Sequence, residues 1–266
     1  MTYSGHIVRE KLLLPFLYVM LTALLGGCGK LDAPLPGTYR AHVNLRGGEV
    51  PFELEISAQK GVTAIGIHRE NEVLPLTGLK FHDGTLEAQL PDAAGTMHAD
   101  IRRGELHGEL RMLDQHGTPQ VLPFAAELNK PYRFFEQPST DNADISGYWL
   151  LEAISPEHFS APVTLRLQQR FDAVDGQLHL PDGKVLTLLG QVHGDEVYLS
   201  ALGYGRALLF KGKVNAQGEL QGEVWANLNN VKTWAAKRMS DEQAQAASTQ
   251  DEQVRRVALP WAIPAQ

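Results

Sequence analysis

Two stretches of this chain repeat one pattern, which restricts the fold to an architecture that can be built twice in tandem. Pro36-Gly37-Thr38-Tyr39 aligns with Ser146-Gly147-Tyr148-Trp149 at an offset of 110 residues. At the same offset Gly66 meets Gly176, and Phe124-Ala125-Ala126 meets Trp234-Ala235-Ala236. Gly104-Glu105-Leu106-His107-Gly108-Glu109 meets Gly218-Glu219-Leu220-Gln221-Gly222-Glu223 at 114, which places four extra residues in a loop of the second copy. Four matches in the same order point to a duplicated module.

Within each copy, short runs rich in Val, Leu, Ile and Thr are punctuated every 8–12 residues by Gly, Asp or Asn, the pattern of antiparallel strands. The second copy is predicted to hold strands at 146–154, 162–170, 173–180, 184–191, 196–202, 206–214, 219–225 and 231–237. Asp182-Gly183, Gly194-Asp195, Gly203-Tyr204-Gly205 and Gln217-Gly218 supply its turns, and Asp83-Gly84 and Gly104 do so in the first copy. Val163, Leu165 and Leu167 alternate with Thr164, Arg166 and Gln168, so one face looks inward and the other to water. The expected fold class is all-β: two tandem small antiparallel barrels of about eight strands each, with a short C-terminal helix or tail. Closure removes the exposed edges that invite aggregation. A sandwich of the same strand count is the alternative. The Gly-x-Trp opening at Gly147-Tyr148-Trp149 resembles the start of lipocalin and avidin barrels.

The first 28 residues are an address rather than part of the fold. Arg9 and Lys11 precede an apolar stretch from Leu12 to Leu25, too short to span a bilayer, and Gly26-Gly27 follow. Leu25-Gly26-Gly27-Cys28 resembles the lipobox of bacterial lipoproteins, which implies cleavage before Cys28 and a lipid anchor on it. Acyl chains at ~0.8 kcal/mol per buried CH₂ make such an anchor effectively permanent. Gly29 rather than Asp after the cysteine implies the outer membrane, facing the periplasm. The expected organisation is a signal peptide at 1–27, a lipidated tether at 28–36, a first barrel at 37–128, a linker at 129–145, a second barrel at 146–238 and a partly helical tail at 239–266.

Losing residues 1–27 removes two basic residues and one acidic residue, so the formal charge moves from −7 to −8. That balance argues against nucleic acid and against adhesion to anionic lipid. The single cysteine excludes an intramolecular disulfide and a Cys-x-x-Cys redox pair. The linker carries Pro131, Pro138, Ser139, Asp141 and Asn142, and its Tyr132, Phe134 and Phe135 are expected to pack against a barrel end. Ser240 is placed to cap a polar helix running to Arg256, with Asp241 and Glu242 in its first turn.

The candidate chemistry is thin. Ten histidines are scattered without metal-ligand spacing, and His68, His107 and His179 read as strand residues facing solvent. Glu105 and Glu109, like Glu219 and Glu223, lie four apart, about 13 Å along a strand at ~3.3 Å per residue, too far for a glycosidase pair. No catalytic residue, metal or cofactor is expected. Trp149 and Trp234 sit on strands that pair if the barrel closes, either as core or as the aromatic wall of a pocket for a small apolar ligand. Val185-Leu186-Thr187-Leu188-Leu189 and Ala207-Leu208-Leu209-Phe210 are apolar on both faces and need cover. The other barrel or apolar residues 259–263 can supply it, as can a partner protein. In the partner reading, Leu186, Leu188, Ala207 and Leu209 form the contact surface.

One further resemblance bears on partners. Leu180-Pro181-Asp182-Gly183, His193-Gly194-Asp195-Glu196-Val197-Tyr198-Leu199-Ser200, Ala207-Leu208-Leu209-Phe210 and Thr233-Trp234-Ala235-Ala236-Lys237-Arg238 occur in register, with Leu122-Pro123-Phe124-Ala125 in the first copy. Together they resemble the β-domain that precedes the thioredoxin domain in some TlpA-like redox lipoproteins. Without a second cysteine, the resemblance implies a stand-alone accessory domain that serves a separate thioredoxin-like partner in the envelope. The expected function is that of an exported, lipid-anchored, non-catalytic binding or scaffold lipoprotein. The alternatives are a lipocalin-like carrier and a redox accessory module.

Overall fold

The structure, a computed structural model, describes residues 33–69, 72–91, 94–113, 117–151, 163–180, 184–203, 205–226, 228 and 230–258. The leader, Cys28, residues 259–263 and the Asp182-Gly183 turn lie outside these. The first half holds β1 (Gly37–Leu45), β2 (Gly48–Gln59), β3 (Val62–Arg69), β4 (Glu72–Pro75), β5 (Thr77–His82), β6 (Thr85–Gln89), β7 (Gly95–Arg102), β8 (Glu105–Leu113) and β9 (Pro119–Leu128). The second holds β10 (Gly147–Leu151), β11 (Val163–Arg170), β12 (Ala173–His179), β13 (Val185–His193), β14 (Glu196–Gly203), β15 (Arg206–Val214), β16 (Leu220–Ala226) and β17 (Asn230–Arg238). A helix, α1 (Asp241–Ala258), follows.

Strands β10 to β17 form a closed barrel in sequence order. The first half is a nearly closed sheet of nine strands in the order β4-β3-β2-β1-β9-β8-β7-β6-β5. Eight were expected there, and the ninth has a local cause. Strand β13 spans its barrel as one piece, pairing with β12 along one part and β14 along the other. Its counterpart is broken at Leu76 into β4, which pairs with β3, and β5, which pairs with β6. Pro75 has no amide proton for a ladder, Gly78 adopts a φ of 60°, and the β5–β6 register shifts between Thr77 and Lys80. Leu76 still donates its amide to the Ile65 carbonyl and points into the core.

The duplication extends to register. Strands β1 and β9 close the first half with Ala41 opposite Ala126, and β10 and β17 close the second with Leu151 opposite Ala236, each 110 residues on. Leu106 opposes Ala126 as Leu220 opposes Ala236. In both halves a strand glycine faces the large aromatic of the last strand: Gly108 opposite Phe124 and Gly222 opposite Trp234. A Cβ at either glycine would strike a neighbouring strand's carbonyl, that of His98 or Lys211. Both positions therefore require glycine.

Each half has a filled interior. Alternation puts Tyr39, Leu54, Ile65, Leu86, Leu106 and Leu122 inside the first. Trp149, Leu165, Leu188, Leu199, Phe210 and Trp234 fill the second, with the Phe210 and Trp234 rings edge to face at 5.6 Å. Eight strands enclose about the space that such side chains occupy. Helix α1 begins as read from the sequence: the Ser240 hydroxyl accepts from the Gln243 amide (3.3 Å), and the Gln243 side chain accepts from the Ser240 amide (3.0 Å), a reciprocal cap.

Candidate functional site

The two halves meet where a turn end of the first abuts the side wall of the second, with β2 against β14 and β15. On β15, Leu208 and Phe210 point into their own barrel, so Ala207 and Leu209 point out. Both are fully buried, because they complete the core of the first half together with Leu202 and Trp225. Trp225 lies so close to Gly47, in the β1–β2 turn, that a Cβ there would overlap its indole. The apolar outer face of the second barrel thus serves as the lid of the first.

Residues 129–145 strap this joint together. Phe134 packs edge to face on Tyr198 at 5.6 Å, and Phe135 stacks on His193 at 4.9 Å. The buried Gln191 side chain accepts from the amides of Phe134 and Phe135 (both 2.9 Å) and donates to Asp172 (2.8 Å), so its polar atoms are satisfied. The linker aromatics were expected at a barrel end. Phe134 packs against the core of the first half and also on the side wall of the second, where β13 and β14 expose His193 and Tyr198, and Phe135 lies on that wall. Tyr132 lies under the Arg40 guanidinium, 4.7 Å from its ring centre.

Arg133 is the pivot. Its Nε donates to the Leu189 carbonyl (3.2 Å), and its Nη2 donates to the Pro51 carbonyl (2.6 Å) and the Ser200 hydroxyl (3.1 Å), joining the two barrels. Ser200 in turn donates to Pro51 (3.0 Å), and Arg40 donates to the Arg133 carbonyl through Nε (3.0 Å) and Nη2 (2.8 Å). Arg133 is half-buried. Burial lowers its pKa to about 10; Glu53 raises it and Arg40 lowers it further. The group remains a cation at neutral pH. Among the described residues no carboxylate forms an ion pair with it, and its Nη1 has no protein partner. Two recesses adjoin it, of about 120 Å³ and about 380 Å³.

The residues singled out from the sequence divide as follows. Leu186 and Leu188 are not a partner surface: they are 4% and 0% exposed and belong to the core of the second barrel. On β13 the outward residues are Val185, Thr187 and Leu189, since a one-position change of parity exchanges the faces of a strand. Ala207 and Leu209 do face outward, but the first half covers them. Trp149 and Trp234, 0% and 1% exposed, fill the lumen rather than wall a pocket in it, and their indole N–H groups donate to the carbonyls of Ile145 (2.9 Å) and Glu223 (3.1 Å). Cys28 lies outside the described residues. His68 pairs with Glu55 (3.0 Å), His107 with Glu105 (2.9 Å) and Glu109 with Arg111 (2.7 Å), so these groups engage cross-strand or same-strand neighbours. His179 is half-buried on the outward face of β12, with its Nε2 shielded from water. Arg133 itself was not picked out. Its signal was a lone cation among three aromatics, Tyr132-Arg133-Phe134-Phe135, in a proline-containing linker.

No family model and no curated protein matches the chain. Among solved structures it is similar to a protein of unknown function of the DUF3598 family from Nostoc punctiforme, at 12% identity and a TM-score of 0.26, covering 77% of this chain and 96% of that one. It is also similar to the Burkholderia oklahomensis agglutinin, at 10% identity and a TM-score of 0.18, covering 76% and 95%. Neither likeness is close enough to transfer a ligand or a role.

Proposed function

We propose that this chain is an exported, lipid-anchored lipoprotein of the cell envelope whose paired barrels act as a non-catalytic binding or scaffold module. The observation that supports it is the distribution of apolar side chains. The inward ones fill two lumens, the outward ones of β15 close the joint, and the strap residues 129–145 fasten both barrels into one body. A body of that kind, carried behind Cys28 on a short tether, presents fixed polar surfaces and recesses at the membrane. Substituting Cys28→Ser is expected to abolish lipid labelling and membrane fractionation while leaving the barrels folded. A variant that stays membrane-bound and uncleaved contradicts the anchor.

The carrier reading in its lipocalin form needs an open lumen, and burial of Trp149 and Trp234 weighs against one in the second barrel. A binding role accordingly falls to the joint. The narrower reading, service to a thioredoxin-like enzyme, rests on the resemblance to TlpA-like lipoproteins alone. Photo-crosslinking in the envelope from exposed Val121 tests it, and recovery of no redox protein counts against it.

A further inference from the structure

We propose that the joint between the barrels holds a binding site for a small organic carboxylate with a short apolar body, its charge received by Arg133. This rests on the binding half of the reading above and not on the lipid anchor. The recess of about 120 Å³ lies between β3 of the first half and β13 and β14 of the second. It is comparable to the engineered cavity of ~150 Å³ that accepts benzene. Arg133 and Arg69 bring two cations to it, Ser200 and Thr187 bring hydroxyls, and Phe52 and Leu202 bring apolar surface. Among the described residues that line it, none is acidic.

Arg133 is a half-buried cation whose hydrogen-bond acceptors among the described residues are all neutral, so it can still take an anionic partner. Carbonyls and a hydroxyl occupy Nε and Nη2, which leaves Nη1 as the donor still to be used. A carboxylate suits it, since guanidinium–carboxylate hydrogen bonds are short and strong. Phosphate fits less well, since it has no use for the apolar flank of Phe52 and Leu202.

Calorimetric titration of the full chain in detergent with benzoate, benzamide and inorganic phosphate tests the assignment. Benzoate is expected to bind saturably at millimolar concentration or below and to raise the melting temperature, with benzamide and phosphate inert. Arg133→Gln should weaken benzoate at least about tenfold, as expected for loss of a charge-assisted contact. Because Arg133 also fastens the joint, Thr187→Phe provides the second variant: it plugs the recess, leaves the Arg133 hydrogen bonds in place, and is expected to abolish binding. Absence of saturable benzoate binding overturns the proposal. So do equal binding of benzamide, phosphate binding in place of benzoate, and undiminished binding by folded Thr187→Phe. Cys28→Ser fractionation reports on the anchor alone, so the two readings fail separately.

Discussion

Tyr39 and Trp149 occupy the same position in the two halves and perform the same task with different chemistry. Each is fully buried near the start of an opening strand, and each donates to the carbonyl four residues back: Tyr39 to Leu35 and Trp149 to Ile145, both at 2.9 Å. The bond fixes the entering chain across the barrel end. Trp149→Phe and Tyr39→Phe keep most of the buried area but leave a carbonyl unsatisfied, so each is expected to cost about 1–3 kcal/mol in urea unfolding. The aligned aromatics were legible in the sequence; their acceptors were not, because Leu35 and Ile145 contribute only backbone. A second residue-scale effect is at His42, buried beside Glu49 (3.6 Å) and Arg40 (3.4 Å). Burial lowers its pKa, outweighing the pull of Glu49. The folded state then binds fewer protons than the unfolded chain, so stability is full above about pH 6.5, the ordinary histidine value, and falls as pH drops below it. Melting temperatures between pH 7.5 and 5 should fall for the wild type, with a shallower slope for His42→Gln.

At the scale of elements, the sequence supplied nearly all the strands of the second half, because alternation and turn residues are local signals. Strand β13 runs on to His193. Asp83-Gly84 forms the β5–β6 turn with φ of 49° and 75°, the paired positive values of a tight hairpin turn. What misled was β13, where apolar residues occupy both faces and composition alone cannot say which parity is inside. The break of the fourth strand at Leu76 was also hidden, since Pro75 and Gly78 read equally well as an ordinary turn. Gly222 gives the clearest prediction at this scale. Replacing a strand glycine by alanine ordinarily helps, but a Cβ here meets the Lys211 carbonyl. Gly222→Ala should therefore destabilise by about 1–3 kcal/mol, as overpacking does, and Gly108→Ala should behave alike in the other half. Ser240→Ala should unravel the start of α1, at about 1 kcal/mol, without moving the main melting transition.

For the whole molecule, the joint decides how the halves behave, and it was the part least visible beforehand. Its components come from β1, β2 and the turn between them, residues 129–145 and β13 to β16, with Arg133 and Ser200 lying 67 residues apart in the chain. No local period reports such a meeting. The two-faced apolar run on β15 did signal that something covers it, and the first half proves to be that cover. The measurement that tests this most directly is differential scanning calorimetry of the full chain in detergent, wild type beside Leu209→Asp. The wild type is expected to show one cooperative transition, because residues of the second barrel complete the core of the first. In Leu209→Asp, a carboxylate forced into the joint should split that transition into two. Two separate transitions in the wild type, or one unshifted transition in the variant, would contradict it.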